Sequence, residues 1–471
     1  MKTPVMNALK ELVKEDSVSF HFPGHKGRLT NIDWAELMPM IDTTETRGMD
    51  NLLEPTGIIK ESQEEAAKVF GAKHTIYGVN GSTGSNYIAL SAVANKGDKI
   101  LVQRNCHKSV YNSMILNELD PIYVFPNYNK EYELTTGVCP NEIEKILEEH
   151  PEITVVILTN PNYYGICSDI KTIAEIVHRD DKRILIVDEA HGPHIGLSDK
   201  YPDSAIVSGA DIVIHSTHKT LPSLTQTSLI HVCSDRVDMN KLMDRYQLYT
   251  TTSPSYLFTL SNEMSVAYMA DEGKKQLDEN YEYLLDVRKR LGEIEGVTVL
   301  EMDPNDDTIF DLDICRITID IAGYKGQELM SILYHDYNIR MEMSDYYNTL
   351  AVATVMNNKE DYETLIDAVK EIAGREKRKP IKDLTLDMPQ PVISMSPAEA
   401  YFAHKKLVNI EDSIGEVAAT SIIPYPPGVP LLASGELITK EIFDYLLFLL
   451  DNNINIVNLS EDRKKIVVVE N

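Results

Sequence analysis

From about residue 65 to 250, short Val/Ile/Leu runs alternate with helix-patterned stretches, which predicts an α/β domain with a mainly parallel, doubly wound sheet. Two further observations extend that reading. Beyond residue 293 the order changes to strand, strand, helix, strand, the pattern of a smaller α+β domain. The basic, proline-bearing run Arg375-Glu376-Lys377-Arg378-Lys379-Pro380 then punctuates the chain before a separate C-terminal α+β domain. Four units follow: an arm over 1–30, a large domain over 31–265, a small domain over 266–380 and a C-terminal domain over 381–471.

In order along the chain, Ala8, Leu9, Leu12 and Val13 have the spacing of a short amphipathic helix, and Phe22-Pro23-Gly24-His25-Lys26 follows as a turn. Thr75-Ile76-Tyr77, Lys99 to Val102, Thr154 to Leu158 and Ile184 to Val187 are strands of the large domain. A polar helix-prone stretch over 256–293 bridges to Val297 to Leu300 and Cys315 to Ile319 as strands, Gln327 to His335 as a helix and Leu350 to Ala353 as a strand. The last unit carries the apolar helix Tyr445 to Leu450 and the turn Pro424-Tyr425-Pro426-Pro427-Gly428.

Polar motifs follow the strands. Asn80-Gly81-Ser82-Thr83-Gly84 opens a helix, Arg104-Asn105-Cys106-His107-Lys108-Ser109 follows the second strand, and Thr159-Asn160-Pro161 follows the third. Asp188-Glu189-Ala190-His191-Gly192 ends the fourth, with Ser216-Thr217-His218-Lys219 about one βαβ unit later. In an open parallel sheet ligands bind beyond the carboxyl ends of the strands, so these segments converge on one crevice. A lysine among hydroxyl and imidazole donors can carry an aldehyde cofactor as an imine, and an aspartate at the neighbouring strand end is the partner a pyridinium nitrogen requires. Lys219 and Asp188 therefore predict a pyridoxal 5'-phosphate site. Ser82 and Thr83, at a helix N-terminus, suit its phosphate; the segment fits neither the Walker pattern nor G-x-G-x-x-G, which makes a nucleotide the poorer guess.

These runs, with Leu224-Thr225-Gln226-Thr227-Ser228, Thr250 to Tyr256 and Pro424 to Pro430, resemble the bacterial pyridoxal-phosphate-dependent ornithine/lysine/arginine decarboxylases in the same order over nearly the whole chain. The resemblance implies an aminotransferase-like fold type I subunit, of a short form lacking an N-terminal wing domain, that decarboxylates a basic amino acid. It implies that Lys219, Asp188 and His107 are catalytic, with His107 stacked on the ring. It further implies that Ser82, Thr83, Ser216 and His218 meet the phosphate, and that Ala190, His191 and Asn160 complete the cofactor site. His191 stands where some relatives carry tryptophan. Thr252 or Tyr256 is implied to reach a partner's site, in a homodimer or higher homo-oligomer with shared active sites, and His25 to lie near the interface.

The net charge of −28 argues against nucleic acid and anionic membranes as partners. No uninterrupted apolar stretch of about eighteen residues is present, and the start of the chain lacks an apolar leader core, so a cytoplasmic protein is expected. Five cysteines without a C-x-x-C pair indicate neither a disulfide framework nor a zinc site, and no metal is expected.

The reaction type rests on the resemblance. Arginine is favoured as substrate because short members of the family often act on it, with lysine and ornithine as alternatives. Glu45, Glu342, Asp345 and Glu436 are the candidates to meet the distal cation. Another fold type I enzyme, such as an aminotransferase or aldolase, would need an arginine for a carboxylate, for which Arg316 and Arg340 are candidates. A catalytically silent relative is disfavoured by the intact Lys219, Asp188 and His107.

Overall fold

A computed structural model of the chain describes residues 12–15, 17–28, 38–39, 41–303, 306, 309–375, 389–424, 429–452 and 454–470. The large domain is built on a seven-stranded sheet of β1 (His74–Gly78), β2 (Lys99–Gln103), β3 (Asp120–Val124), β4 (Val155–Thr159), β5 (Ile184–Asp188), β6 (Ile212–His215) and β7 (Ser228–Val232). Their order is β1-β7-β6-β5-β4-β2-β3. All neighbours are parallel except at β7, which runs against β6 and β1. Every residue of β5, β6 and β7 is buried, which is why these strands read as continuous apolar runs rather than as alternation.

The expected boundary at 265/266 falls inside one continuous helical rod: Tyr256–Tyr268, a π turn at Met269–Gly273, then Lys274–Gly292. Beyond it lies an antiparallel four-stranded sheet of β8 (Val297–Val299), β9 (Arg316–Ile321), β10 (Met343–Ser344) and β11 (Thr349–Val352), in the order β8-β9-β11-β10. The helices Gly326–Tyr337 and Lys359–Ala373 accompany it.

The arm belongs structurally to this small domain. Val18–Phe20 pairs in parallel with Ile339–Met341, and Phe20 is fully buried. Ala8 and Leu9 of the expected amphipathic helix lie outside the described residues. After Phe20 the chain crosses to the large domain, where Gly24 N–H donates to His218 O at 2.7 Å while Gly24 O accepts from Thr354 Oγ1 at 2.8 Å.

The C-terminal unit has its own apolar core, including Ile410, Ile422, Leu432, Ile442, Leu446 and Ile466, against which the helix Lys440–Asp451 packs. Tyr425 to Gly428, in the expected proline-rich turn, lie outside the described residues. Among the described residues, no helix is long and apolar enough to cross a membrane.

Candidate active site

Strand β6 ends at His215 and a single helical turn, Thr217–Thr220, follows; it carries Lys219 to the end of the sheet where β5 finishes with Asp188. Parallel pairing sets Ile214 against Asp188, so the two ends are neighbours. Burial depresses the Lys219 pKa to about 8, opposed by the charges of Asp188 and Glu342 and assisted by Arg316. Asp188 is only 2% exposed; burial pushes its carboxyl up, while Lys219 and hydrogen bonds from Asn86 and the Ala190 amide counter that push.

A hydrogen-bond chain ties Asp188 to His107. Asn86 Nδ2 donates to Asp188 Oδ2 at 2.9 Å and to Ser109 Oγ at 2.9 Å, and Ser109 Oγ lies 2.9 Å from His107 Nδ1. The Ser109 amide also donates to that nitrogen, because His107 caps the helix Lys108–Leu116. Nδ1 is thus an acceptor and the ring is neutral, in keeping with a pKa lowered to about 3, first by burial and then by Lys219. Asn86 and Ser109 fall at the ends of polar segments that follow their strands, but the sequence assigns neither a role: Asn86 stands well inside its helix, and only the helix's approach to the end of β5 brings it to Asp188.

At the opposite edge, the helix Gly81–Val93 begins directly within the glycine-hydroxyl motif, with Gly81 at φ +65°. Its first-turn amides and the hydroxyls of Ser82 and Thr83 are the donors a phosphate needs. Ser216 Oγ, 2.7 Å from Ser82 Oγ, joins the two segments. His218 Nδ1 donates to Thr227 O at 2.9 Å, which leaves Nε2 able to donate to a phosphate only as an imidazolium.

Two aromatic rings and an arginine close the crevice. His191 Nε2 lies 3.0 Å from Lys219 Nζ, and its ring packs on Tyr163 at 4.4 Å and on Phe22 at 5.9 Å. Ala190, at 3% exposure, offers no side chain beyond a methyl group. Arg316 is fully buried, donates through Nη2 to His191 O at 2.7 Å, and has no partner for Nε or Nη1 among the described residues. Its guanidinium lies 5.8 Å from the Phe22 ring centre, and Lys219 Nζ lies 5.7 Å from the same ring. A buried cation with unused donors beside a reactive amine is the feature that sequence alone does not place.

Other candidates fall elsewhere. Glu436 is 1% exposed and paired with Arg104 at 3.0 Å, so it joins the C-terminal unit to the large domain rather than facing a substrate. Asp345 is taken by Tyr164 Oη at 2.7 Å and by the amides of Tyr347 and Asn348, a turn-forming role. Glu45 is exposed near Tyr256. Arg340 is occupied by Ser17 and Glu15 of the arm. Asn160 uses Oδ1 to accept from Ser168 N and its own amide to donate to Asp188 O, so it braces the aspartate's backbone. Thr252 is exposed, and Tyr256 donates to Met49 O and Asp50 O of its own chain. Glu342 remains at the site: Oε2 accepts from Phe22 N at 2.8 Å and Oε1 from Tyr163 Oη at 3.3 Å. It also lines a cavity of ≈ 550 Å³ with Phe22, Met330 and Tyr334.

A lysine and an aspartate converge at the carboxyl ends of a mainly parallel sheet, with a helix N-terminus beside them, in a chain of the aminotransferase-like type I fold. Family models described as "Orn/Lys/Arg decarboxylase, major domain" and "Orn/Lys/Arg decarboxylase, C-terminal domain" match residues 3–311 and 379–456, and the chain belongs to that family. It is 32% identical over 461 residues to arginine decarboxylase of Bacillus subtilis, covering 96% of this chain and 94% of that one. The arginine decarboxylase of Bacillus anthracis is 33% identical over 457 residues, covering 94% and 92%. Among solved structures, lysine decarboxylase A from Pseudomonas aeruginosa shares the fold with a TM-score of 0.79 at 22% identity, covering 98% of this chain and 80% of that one. The chain is a carboxy-lyase acting on a basic amino acid, with pyridoxal phosphate as its cofactor. The residues present fit that group: Asp188 is a buried carboxylate with no side-chain cation in hydrogen-bond contact among the described residues, Lys219 is a half-buried amine of lowered pKa, and the donors at Gly81–Thr83 suit a dianion.

Proposed function

We propose that this chain decarboxylates arginine to agmatine and CO2, as a step in polyamine metabolism, and that Lys219, Asp188 and His107 form its catalytic centre. The observation that carries this reading is the placement of Arg316, Lys219 and Glu342 around Phe22, which supplies a cation for an α-carboxylate, an amine, and a carboxylate for a distal cation. A carboxylate with two oxygens presented side by side matches a planar guanidinium better than it matches an ammonium. The Bacillus relatives named as arginine decarboxylases favour the same substrate.

When bound, pyridoxal phosphate supplies the electron sink for the pair left behind when CO2 departs. Asp188 would keep a proton on the cofactor's ring nitrogen by ion pairing. Neutral His107, fixed by Ser109, would pack against the cofactor's ring, and Ala190, with only a methyl group, would leave room for it. Ser82, Thr83 and Ser216 would hold the phosphate, with His218 joining them once Nε2 takes up a proton against the burial that lowers its pKa, and Asn160 keeps the Asp188 backbone in place. Arg316 orients the α-carboxylate and Glu342 the distal guanidinium. Lys219 would hold the cofactor and, as an ammonium, would deliver to Cα the one proton that replaces the lost carboxylate, with His191 Nε2 steering that ammonium by accepting a hydrogen bond. Phe22, Tyr163 and His191 exclude water from Cα.

The site acts in a homodimer or larger homo-oligomer, with exposed Thr252 completing a neighbour's phosphate site. The protein works in the cytoplasm; cysteines buried as small apolar groups at Cys106, Cys167 and Cys315 suit a reducing compartment. Arg316, with Nε and Nη1 left to bind a carboxylate, favours one second reading, an aminotransferase. Measuring CO2 release from arginine, lysine and ornithine side by side, with keto-acid formation followed in parallel, separates these readings. The expected result is CO2 chiefly from arginine; keto acid without CO2 would establish the alternative.

A further inference from the structure

Directly after Asp188, the chain turns a second acid the other way. Consecutive residues at the end of an extended strand point to opposite faces, so Glu189 leaves the cofactor side. It is fully buried, accepting from Ser204 Oγ at 2.6 Å, from the Ala205 amide at 2.9 Å and from His215 Nε2 at 2.8 Å. His215 Nδ1 lies 3.0 Å from His231 Nε2, and His231 Nδ1 lies 2.8 Å from Thr75 Oγ1. Thr75, His231 and His215 belong to β1, β7 and β6, so the chain of bonds crosses the sheet to the end of β5.

Both imidazoles are fully buried, and Phe70 covers them at 5.2 and 4.9 Å between ring centres. Two neutral rings and a hydroxyl can satisfy every one of these contacts with all donors pointing one way: Thr75 O–H to His231, His231 N–H to His215, and His215 N–H to Glu189. Burial pushes the Glu189 carboxyl up to about 8 while Ser204 and Ala205 oppose it; the His215 N–H is a third donor that favours the carboxylate. Neither histidine reaches substrate or cofactor, and the chemistry proposed above uses none of the four residues.

We propose that Thr75, His231, His215 and Glu189 form a positioning relay, a one-directional hydrogen-bond chain that fixes the turn at Asp188–Glu189 and so sets where the Asp188 carboxylate meets the cofactor's ring nitrogen. Glu189 holds the turn from one side, through the Ser204–Ala205 segment and His215. Asn86 and the Ala190 amide hold Asp188 from the other. Because Thr75, His231, His215 and Glu189 are all buried, a break anywhere leaves an unpaired buried group. The inference rests on Asp188 being the partner of the ring nitrogen.

The test reads the far end of the relay, in β1, three strand spacings or roughly 14 Å from Asp188. Holoenzyme carrying Thr75→Val keeps the side-chain shape and loses the hydroxyl; Thr75→Ser keeps the hydroxyl. The readouts are the pH midpoint of the cofactor's visible absorbance band, the rate of cofactor loss, and thermal stability. The expected result is a displaced midpoint and several-fold faster cofactor loss for Thr75→Val, both restored in Thr75→Ser. His231→Gln, which can still bond His215 while losing Thr75, is read in the same way should Thr75→Val not fold. An unaltered midpoint and retention, with or without a lower melting temperature, would overturn the relay and leave these residues as core packing. Asp188→Asn is the control: if it fails to move the band, the underlying assignment of Asp188 is what falls.

Discussion

Arg104 Nη2 meets Glu436 Oε2 at 3.0 Å with both side chains almost wholly shielded from solvent, and this pair joins the C-terminal unit to the strand end that carries His107. Tyr111 and Tyr123 cover the guanidinium at 5.6 and 4.9 Å, and the Ala433 amide shares the carboxylate. Removing one partner of such a pair strands the other without solvent. Glu436→Gln is therefore expected to destabilise the protein by about 3–5 kcal/mol while leaving KM for substrate unchanged. Denaturant melts and steady-state kinetics check this; a raised KM at unchanged stability would return Glu436 to the substrate site.

Gly24 presses against the backbone of the lysine turn. A Cβ there would lie 2.7 Å from Leu221 O and 2.9 Å from Lys219 O, and neither can move without moving the turn. Gly24→Ala is expected to lower kcat about tenfold, the equivalent of roughly 1.4 kcal/mol, through displacement of Lys219. Wild-type kcat in this variant would show that the arm yields instead.

The large domain is legible in the sequence because its strands are apolar runs ended by polar motifs, and the motif ends do converge. Lys219 and Asp188 are legible because an amine and an acid at adjacent strand ends, set among hydroxyl and imidazole donors, supply both halves of one chemistry. Gly24 reads only as turn punctuation, since its close contact with Lys219 depends on a crossing between domains. Asp345, Glu436 and Arg340 look identical in sequence to Glu342 and Arg316. What separates them is which partner each meets, and those partners lie on other elements: Tyr164, Arg104 and Glu15 for the first three, Phe22 and His191 for the other two.

Covalent capture of the cofactor by apoenzyme requires a neutral Lys219. Burial lowers its pKa to about 8, so the capture rate is expected to climb with pH through that value and then level off. Asp188 is the main charge that opposes the depression, and Asp188→Asn is expected to move the midpoint lower. Stopped-flow absorbance after mixing apoenzyme with pyridoxal phosphate checks both directions; a midpoint near the ordinary lysine value would contradict them.

Sharing of sites between subunits is tested by complementation. Lys219→Ala chains retain Thr252 and Tyr256, and chains altered at Thr252 and Tyr256 retain Lys219. Mixed dimers are expected to regain activity, with about one competent site in two. No regain, despite demonstrated subunit exchange between two crippled parents, would mean that each site is built within one chain.

Lys219 as the residue that carries the cofactor is the claim on which the rest depends, and one rival is physically credible. Lys26 is also half-buried near the crevice, its pKa lowered to about 7 by desolvation, though its Nζ is engaged by His21 O and Val352 O at 2.7 and 3.1 Å. Reduction of the holoenzyme with borohydride, followed by peptide mapping, distinguishes the two. The predicted result is the reduced cofactor on the peptide containing Lys219 alone; label on Lys26, or on any other lysine, would contradict the assignment.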